Sequence, residues 1–385
     1  MDKVLHVLPM NKMSGAERMA LLLCKNLKNY KPIVVCGGIE LSNVFKENGI
    51  KSYNIKFSNK NILANAYDLS KIIKGENIKI VHAHDNIASL VSYITKKIFR
   101  LNIKVISHIH SCYPFLKFNS INKKIDSILR PKYDYNIACG KLVYNFYNEN
   151  SGYFPRNKTE VLSNAIDIDE IINININESN NAINEFNIPK DKTILGFVGR
   201  ICDIKGIIPF INEIANHKNE FMDCKVLLIG SGDQEDEVRS LIRKLKLEDI
   251  FILTGFQENV YKFYPLIDVF FLPSRYEGLP MVILEAMAFN KPVLSMNVGS
   301  ISEVIDDGKT GYLVKLGNYN DFIIKLREMK SEKRLMKKLG ENAFNYINRN
   351  YNIKVYIQNI ENIYNNQIGK ENNYGQVDNN IYAHI

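Results

Sequence analysis

Apolar runs of strand length alternate with helix-like segments along this chain, and this alternation is the feature that most restricts its fold. Strands separated by helices favour parallel sheets with crossover helices, because parallel neighbours cannot be joined by a tight turn. The strand-like runs are 4–9, 32–38, 79–84, 104–110 and 135–140 in the first half, and 194–200, 225–232, 250–256, 269–274, 292–297 and 311–314 in the second.

The alternation breaks at an Asn-rich stretch, 172–186, and then starts again. A chain of 385 residues is also longer than a single core usually serves. We therefore predict an α/β protein of two doubly wound, Rossmann-like domains, 1–166 and 167–345, with functional groups at strand carboxyl ends facing an interdomain cleft. A helix over 346–366 is expected to pack back towards the first domain, and the polar, aperiodic end, 367–385, is expected to be mobile.

Positive charge is concentrated in the first part of the chain. Residues 1–165 contain 25 Lys and Arg against 11 Asp and Glu, whereas the remainder contains 25 against 30. This imbalance suggests an anionic surface as partner, and a solvated basic face explains it equally well. Basic and apolar residues mix over 92–104 and 115–132, which suits an anionic lipid leaflet. No helix-turn-helix, zinc or aromatic-platform pattern accompanies the charge, so a nucleic acid partner is not expected.

The sequence also restricts the compartment. No cleavable signal pattern follows Met1, and no apolar run approaches the roughly 20 residues of a membrane span. The six cysteines lack the spacing of metal ligands. We therefore expect a cytoplasmic protein with reduced thiols, and peripheral contact with the inner face of the cytoplasmic membrane is a hypothesis.

Two cations follow the first strand of the second half. Arg200 comes directly after Gly199 at the strand end, and Lys205 stands where a helix is expected to begin. Cations and the positive end of a helix suit a diphosphate, although surface charge in a loop is the commoner explanation of such residues taken alone. Gly230 and Gly232 follow the next strand, where glycines let backbone approach a ligand closely or form an ordinary tight turn.

Two carboxylates flank an apolar helix start in RYEGLPMVILEAMAF. Glu277 stands in the loop, and Glu285 stands within a helix that is apolar almost all round. A buried carboxylate needs donors, and sugar or ribose hydroxyls are suitable ones. The N–H groups of Gly278 and Leu279 would point at an anion, since Pro280 is preset for the first helical turn. The alternative is a buried glutamate paired with arginine or a helix-capping carboxylate.

Four histidines lie in two clusters at strand ends. His82 and His84 occur in VHAHD, and His108 and His110 occur in SHIHS. The i, i+2 spacing places both side chains of each pair on one face of a strand, a geometry that could bind a metal ion. Asp85, the carboxylate that would complete such a site, is adjacent in sequence only. For each histidine alone, a hydrogen-bonded structural role is the commoner explanation.

These segments together resemble a known family. SRYEGLPMVILEA carries the E-x7-E spacing of retaining glycosyltransferases with the GT-B fold, of the glycosyltransferase family 4 type. The resemblance covers most of the chain, and SHIHS is similar to glycosyltransferases of bacterial surface polysaccharides such as capsule or lipopolysaccharide. It also includes SGAER, VHAH, VLSNAID, FVGR with the following KG, LLIGSGDQ, ILTGF, KPVLSMNVGSISEVI and DDGKTGYLV. Gly299-Ser300 departs from a Gly-Gly that is common in the family, which concerns loop geometry rather than class.

The resemblance implies roles for the matching residues. Arg200 and Lys205 would bind the diphosphate of the donor, Glu277 would hold hydroxyls of the donor sugar, and His110 would contact that sugar. The remaining donor-side positions would be the ribose-binding Glu285, the amides of Gly278 and Leu279 beside the sugar or phosphate, and Gly15 near the diphosphate and acceptor. Gly199, Gly230 and Gly232 would also bind the donor, and Gly255 and Phe256 would lie beside the nucleobase.

The implied activity is transfer of a hexosyl or N-acetylhexosaminyl group from a nucleotide sugar, expected to be a UDP-sugar. The acceptor would be a hydroxyl of a lipid-linked or growing polysaccharide, and the anomeric configuration would be retained. An oxygen of the leaving phosphate would take the acceptor proton, so neither a metal ion nor another cofactor is required. Two classes stay open: a sugar-nucleotide epimerase or phosphorylase of the same architecture, and a non-catalytic nucleotide-sugar-binding subunit.

Overall fold

The computed structural model describes residues 1–58, 61–173 and 176–370. The chain divides into two compact units. The first comprises Met1–Ala165 together with the chain from Ile353 onwards, and the second comprises Ile166–Asn352.

The first unit contains a parallel sheet of seven strands in the order β3-β2-β1-β4-β5-β6-β7. Strand β1 is buried on both faces, as expected of a parallel strand covered by helices, and Val4, Leu5, Val7 and Leu8 have no exposed surface. The strands are β1 (Asp2–Leu8), β2 (Tyr30–Cys36), β3 (Lys51–Asn54), β4 (Ile80–His84), β5 (Lys104–Ile109), β6 (Tyr135–Ala138) and β7 (Thr159–Val161). The helices are α1 (Gly15–Asn26), α2 (Ile39–Glu47), α3 (Ile62–Glu76), α4 (Asp85–Ile98), α5 (Ile121–Leu129) and α6 (Lys141–Asn150).

The second unit contains a parallel sheet of six strands in the order β10-β9-β8-β11-β12-β13. Its core is rich in aromatic rings: those of Phe210 and Phe271 stack with centroids 4.5 Å apart between a helix and the sheet. The strands are β8 (Thr193–Val198), β9 (Cys224–Ile229), β10 (Phe251–Gly255), β11 (Val269–Leu272), β12 (Val293–Asn297) and β13 (Gly311–Lys315). The helices are α7 (Ile168–Ile172), α8 (Ile176–Phe186), α9 (Ile207–Asn216), α10 (Glu235–Lys244), α11 (Met281–Ala288), α12 (Tyr319–Ser331) and α13 (Lys333–Asn350).

The strand order reverses once in each sheet. The reversal lies between β1 and β4 in the first unit and between β8 and β11 in the second. At such a point the connections leave the strand ends in opposite directions and open a crevice, where doubly wound folds bind their ligands. The predicted α/β class with two doubly wound sheets is confirmed, and the two reversals are the first places to look for a site.

The end of the described chain returns to the first unit. Helix α13 stops at Asn350, and a last helix, α14 (Ile353–Ile368), starts after Tyr351 and Asn352. The expected helix 346–366 therefore consists of parts of two helices in different units. Glu361 of α14 accepts hydrogen bonds from the backbone N–H groups of Lys28 and Asn29, each at 2.7 Å.

The segment expected to be mobile, 367–385, lies outside the described residues from 371 onwards. Among the helices of the described ranges, none combines the length and the apolar character that crossing a membrane requires.

Candidate active site

An ion pair lies at the strand-order reversal of the second unit. Lys205, in the loop after β8, places Nζ 2.6 Å from Oε1 of Glu277, in the loop after β11. The hydroxyl of Ser274 donates to the same Oε1 atom at 2.6 Å. Within the described part of the chain, Oε2 of Glu277 makes no hydrogen bond. One oxygen of this carboxylate is therefore held in place while the other can accept from a ligand hydroxyl.

The pair is largely screened from water. The side chain of Lys205 is 17% exposed and that of Glu277 is 9% exposed. Charges in such a position interact more strongly than they would in bulk solvent. The paired-glutamate alternative therefore describes Glu277 in this structure, with a lysine rather than an arginine as the partner. Ser274 was not predicted, although it stands three residues before Glu277 in the same motif.

Close approach of two loops fixes the ion pair. Gly206 has a φ of +68°, and a Cβ at this position would lie 2.2 Å from the carbonyl oxygen of Pro273. The N–H of Arg275 donates to the carbonyl of Ile204 at 2.7 Å. A residue with a side chain at position 206 would push the loops apart, so the glycine is needed to bring the two charges together.

Arg200 is exposed at the end of β8. It follows Gly199, whose N–H donates to the carbonyl of Ile229 at 3.0 Å. A hydrogen bond with Cys202 and the charge of Asp233 raise the pKa of Arg200 further above its usual range. Both cations predicted to bind a diphosphate therefore follow the same strand.

Gly230 and Gly232 have a packing role that the sequence did not reveal. A Cβ at Gly230 would lie 2.1 Å from the carbonyl oxygen of Gly199, and one at Gly232 would lie 2.2 Å from that of Ile201. The protein's own backbone occupies the space where their side chains would stand. These glycines let the loops after β8 and β9 approach each other, and their contact with a donor stays a prediction.

The end of β10 presents an aromatic ring to solvent. Gly255 has a φ of +67° and accepts a hydrogen bond from the N–H of Gly230 at 3.0 Å. The next residue, Phe256, is 77% exposed. An exposed ring beside a strand end suits stacking with a planar base.

Glu285 is oriented by a buried tyrosine. The hydroxyl of Tyr264 donates to Oε2 of Glu285 at 2.6 Å. Burial, and next the charge of Glu285, raise the pKa of Tyr264 well above its usual value, so the hydroxyl stays a donor. Glu285 itself is half-buried on α11, which resolves the apparent conflict between an acid and an apolar helix. No sequence feature marked Tyr264, because it stands 21 residues earlier in the chain.

The loop before α11 leaves two amides available. Within the described residues, the N–H groups of Gly278 and Leu279 donate no hydrogen bond. The carbonyl of Gly278 accepts from the N–H of Ser300 at 3.1 Å. Gly299 has a φ of +58°, and a Cβ there would lie 1.9 Å from the carbonyl oxygen of Glu277. The sequence therefore keeps the glycine that this contact requires, and serine replaces the other glycine of the family's pair.

In the first unit, His110 ends a row of three histidines. Its Nε2 lies 3.0 Å from Nδ1 of His84, and Nε2 of His84 lies 3.2 Å from Nδ1 of His6. His6 was not predicted to join the cluster, but β1 pairs with β4 so that His6 stands opposite His82.

A second row runs beside the first. Nε2 of His82 lies 3.1 Å from Nδ1 of His108, and Nδ1 of His82 lies 2.6 Å from the hydroxyl of Tyr364 on α14. The rings of His82 and His84 stack with centroids 4.5 Å apart, as the i, i+2 spacing predicts. The two rows form a single cluster of five imidazoles at the carboxyl ends of β1, β4 and β5.

The cluster is uncharged at neutral pH. Burial lowers the pKa of His6 to about 3 and that of His110 to about 4. Burial, and next the neighbouring imidazoles, also lower the pKa of the other three histidines well below its usual range. Neutral imidazole is the form that binds zinc and similar ions. Two sets bring one nitrogen per residue within 4.8 Å of one another: His6, His82 and His84, and His84, His108 and His110.

Gly15 begins α1 beside open space. The hydroxyl of Ser14 hydrogen-bonds to the carboxylate of Glu17, which is buried in the first turn. A Cβ at Gly15 would meet no atom within 4 Å. The backbone here is exposed at the start of α1, although packing does not require a glycine.

Two doubly wound sheets, each with polar groups at its strand-order reversal, define an α/β protein that binds ligands at strand ends. Comparison with known proteins identifies the family within this class of α/β proteins. The family profile described as Glycosyltransferase Family 4 matches residues 13–170, and that described as Glycosyl transferases group 1 matches residues 178–346.

Full-length relatives agree with the profiles. The N-acetyl-alpha-D-glucosaminyl L-malate synthase of Bacillus anthracis is 24% identical over 326 residues, which are 78% of this chain and 78% of that protein. The UDP-Gal:alpha-D-GlcNAc-diphosphoundecaprenol alpha-1,3-galactosyltransferase of Escherichia coli is 21% identical over 379 residues, 94% of this chain and 96% of that protein. The crystal structure of Anabaena HepE in complex with UDP matches with a TM-score of 0.80 and 17% identity, over 95% of this chain and 100% of that one.

The chain has the GT-B fold of glycosyltransferases. It belongs to glycosyltransferase family 4, a family of nucleotide-sugar-dependent enzymes, and it is homologous to glycosyltransferases of bacterial polysaccharide synthesis.

Proposed function

We propose that this glycosyltransferase transfers a hexosyl or N-acetylhexosaminyl group from a UDP-sugar to a hydroxyl of a lipid-linked or growing polysaccharide acceptor, with retention of configuration. The observation that carries the proposal is the contact of Lys205 with Glu277 at the strand-order reversal of the second unit. This contact supports the proposal because a cation suited to phosphate and a carboxylate suited to sugar hydroxyls lie side by side.

Arg200 and Lys205 bind the diphosphate. The ammonium of Lys205 has three donors, of which the contact with Glu277 uses one. The amides of Gly278 and Leu279 add two neutral donors at the start of α11. Charge grows on the leaving diphosphate as the bond to the sugar breaks, and donors that are already in place stabilise it without reorganisation.

Glu277 and His110 bind the sugar. Oε1 of Glu277 is held by Lys205 and Ser274, so Oε2 accepts from a sugar hydroxyl. His110 is neutral because burial lowers its pKa, and it contacts the sugar through a hydrogen bond rather than a charge. Discrimination between sugars follows from such contacts, because a site that holds a hydroxyl rejects a sugar that lacks it.

Glu285 and Phe256 bind the nucleoside. Tyr264 fixes one oxygen of Glu285, and a carboxylate held in this way accepts from ribose hydroxyls. The ring of Phe256 stacks beside the base next to Gly255. Gly199, Gly230 and Gly232 bring the loops after β8 and β9 together near the phosphates. Gly15, in the first unit, offers open backbone to the diphosphate and acceptor.

The transfer needs no metal ion. Arg200, Lys205 and the two amides supply the charge stabilisation that a divalent cation supplies in other phosphate chemistry. The acceptor oxygen attacks on the face from which the diphosphate leaves, and a phosphate oxygen takes its proton. No nucleic acid takes part.

The relatives support the donor and the acceptor. The E. coli relative is named for a UDP-sugar donor and a diphosphoundecaprenol-linked acceptor, and the Anabaena structure contains UDP. A lipid-linked acceptor would bring the enzyme to the inner face of the cytoplasmic membrane. Helix α5 suits this position: Ile121, Ile125 and Ile128 are exposed by 76%, 39% and 57%, with exposed Lys117 and Lys124 nearby.

Two linked experiments test the proposal. Thermal-shift titration with UDP-, GDP- and ADP-sugars identifies the nucleotide, because at equal concentration the ligand that binds the folded state more tightly raises its stability more. UDP-glucose, UDP-galactose and UDP-N-acetylglucosamine are then offered with a panel of sugar-diphosphate-undecaprenols and short glycans, and NMR of the product reads the anomeric configuration. We expect UDP-sugars to stabilise the protein and an α-linked product.

The other function classes give different results. Conversion of the donor without any acceptor would indicate an epimerase. Stabilisation by a UDP-sugar without turnover on any acceptor would indicate a binding subunit. An inverted product would overturn retention while leaving the donor assignment intact.

A further inference from the structure

A cleft opens at the strand-order reversal of the first unit. It has a volume of about 400 Å³, within the range of sites for small ligands. Pro9 and Met10, which follow β1, line one part of it, and Asp85 and Asn86, which begin α4, line another. Tyr113 and Ser58 add further polar groups to its wall. The carboxyl ends of β1 and β4 therefore meet at this cleft, where a doubly wound sheet binds ligands.

Asp85, which lines this cleft, has an unusual backbone conformation. It has a φ of +74°, although it is not glycine and begins a helix. L-residues rarely adopt this conformation, and where they do, the surrounding structure must hold them in it. Residues held in such conformations cluster at ligand sites.

The carboxylate of Asp85 is oriented but not saturated. The hydroxyl of Tyr113 donates to Oδ1. Within the described residues, no hydrogen bond reaches Oδ2. Burial raises the pKa of Asp85, and the bond from Tyr113 opposes that rise. A partly buried carboxylate with one oxygen held and the other available has the same form as Glu277 in the second unit.

We propose that Asp85 positions the acceptor: its Oδ2 accepts a hydrogen bond from a glycan hydroxyl bound in the cleft. The inference rests on the proposed function, since it names a residue that binds the acceptor of that reaction. His110, assigned to the donor sugar, follows β5, the strand next to β4 in the sheet. A hydroxyl held at Asp85 therefore lies at the carboxyl end of β4, next to the end of β5 that His110 follows. Asp85 takes no proton, because the leaving phosphate receives it.

The test compares transfer to acceptor with transfer to water. Asp85→Asn removes the charge, keeps an oxygen for Tyr113, and suits the positive φ, which asparagine tolerates well. UDP released with the best acceptor of the panel is divided by UDP released without acceptor. Loss of a hydrogen bond to a charged group predicts that this ratio falls roughly 10- to 100-fold, with a higher KM for the acceptor. Asp68→Asn, on the exposed face of α3, is the matched control and should keep the wild-type ratio.

A second variant guards against misfolding of the first. Tyr113→Phe keeps the carboxylate and removes its orienting donor, which predicts a smaller fall of roughly 2- to 10-fold in the same ratio. A wild-type ratio in folded Asp85→Asn would overturn the inference. Equal losses with acceptor and with water in either variant would also overturn it, because they would place Asp85 on the donor side. If the wild-type protein transferred to no acceptor of the panel, the proposed function would fail, and this inference with it.

Discussion

Lys205 and Glu277 stand 72 residues apart in the chain, and their side chains meet at 2.6 Å. Each residue follows one of the two strands between which the strand order of the second sheet reverses. The two residues are brought together because β8 and β11 are neighbours in the sheet although they are distant in the chain. Their charged side chains therefore lie at the crevice between the ends of these two strands. Ser274, the third member of this group, shares the loop of Glu277.

Replacing Lys205 with methionine should reduce turnover strongly. The variant removes a donor that stabilises the leaving diphosphate, and loss of one such donor typically lowers kcat by about 10²–10³. Steady-state release of UDP measures the effect. Lys309→Met is the matched control, since Lys309 forms a pair of 2.9 Å with Asp306 in an exposed position. The control should keep wild-type turnover and stability, because exposed pairs contribute little.

Stability separates a structural role of this pair from a catalytic one. Glu277→Gln should lower the free energy of unfolding by about 1–3 kcal/mol, because it leaves the ammonium of Lys205 without its charged partner. The double variant Lys205→Met/Glu277→Gln should recover most of that loss in urea unfolding and should stay inactive. Recovery of both stability and turnover would show that the pair has a structural role alone.

Removing the hydroxyl of Tyr264 should weaken nucleotide binding. Tyr264→Phe removes the hydroxyl that donates to Oε2 of Glu285, so the carboxylate is held less firmly. We expect the Kd for UDP to rise roughly 10-fold, since the lost hydrogen bond has a charged acceptor. The kcat at saturating donor should change little, because the bond acts on binding of the nucleotide. Isothermal titration with UDP measures it. Tyr67→Phe, at an exposed position, is the control, and an unchanged Kd in Tyr264→Phe would remove Glu285 from the ribose site.

Local sequence patterns identified the sheets and the strand-end residues, but not the contacts between distant residues. The alternation of apolar runs gave both doubly wound units, because parallel strands need crossover helices. Tyr264 was missed, since only the folded crossover brings it to Glu285. The same applies to His6, whose place opposite His82 depends on strand register. The break of the last helical segment after Asn350 was also missed, because helical periodicity continues on both sides of it.

Acid should destabilise the first unit through its histidine cluster. The folded pKa values of His6 and His110, about 3 and about 4, lie below the usual value of 6.5. Below pH 6.5 the unfolded chain therefore binds more protons than the folded one. The free energy of unfolding is therefore highest, as far as these two groups affect it, above pH 6.5. It declines towards pH 4 by about 1.4 kcal/mol per pH unit for each histidine.

Urea unfolding between pH 7.5 and 5 measures this decline. His6→Gln removes one of the titrating groups, so its stability should depend on pH less steeply than that of the wild type, whatever its stability at pH 7.5. His217→Gln, in the second unit, provides a comparison outside the cluster. An equal slope in His6→Gln and wild type would contradict the lowered pKa of His6.

Chelation should leave transfer unchanged. The proposed stabilisation of the diphosphate uses Arg200, Lys205 and two amides, so activity after dialysis against EDTA should stay within about twofold of the untreated rate. Addition of Mg²⁺ or Mn²⁺ should not raise it. A rate that falls with EDTA and returns with one cation would show that a metal ion replaces or assists these residues.

Helix α5 should bring the protein to anionic membranes. Its exposed isoleucines recur on one helical face, and Lys124 of the same helix and Lys117, four residues before it, are exposed. Flotation with vesicles of phosphatidylcholine and phosphatidylglycerol should recover the protein, and pure phosphatidylcholine should recover much less. Each lysine near an anionic surface contributes about 1 kcal/mol, so Lys117→Glu/Lys124→Glu should weaken partitioning by roughly 30-fold or more.

Charge reversal elsewhere tests whether this membrane contact is local. Lys309→Glu/Lys337→Glu makes the same change in net charge at two lysines of the second unit that are 73% and 79% exposed. If the net charge of the whole protein drove membrane binding, both double variants would bind the vesicles less well, and to the same extent. Binding through α5 predicts that this second pair floats with the vesicles as the wild type does. Ile121→Ser/Ile128→Ser should reduce binding at high salt as well, because burial of apolar side chains is not screened by ions.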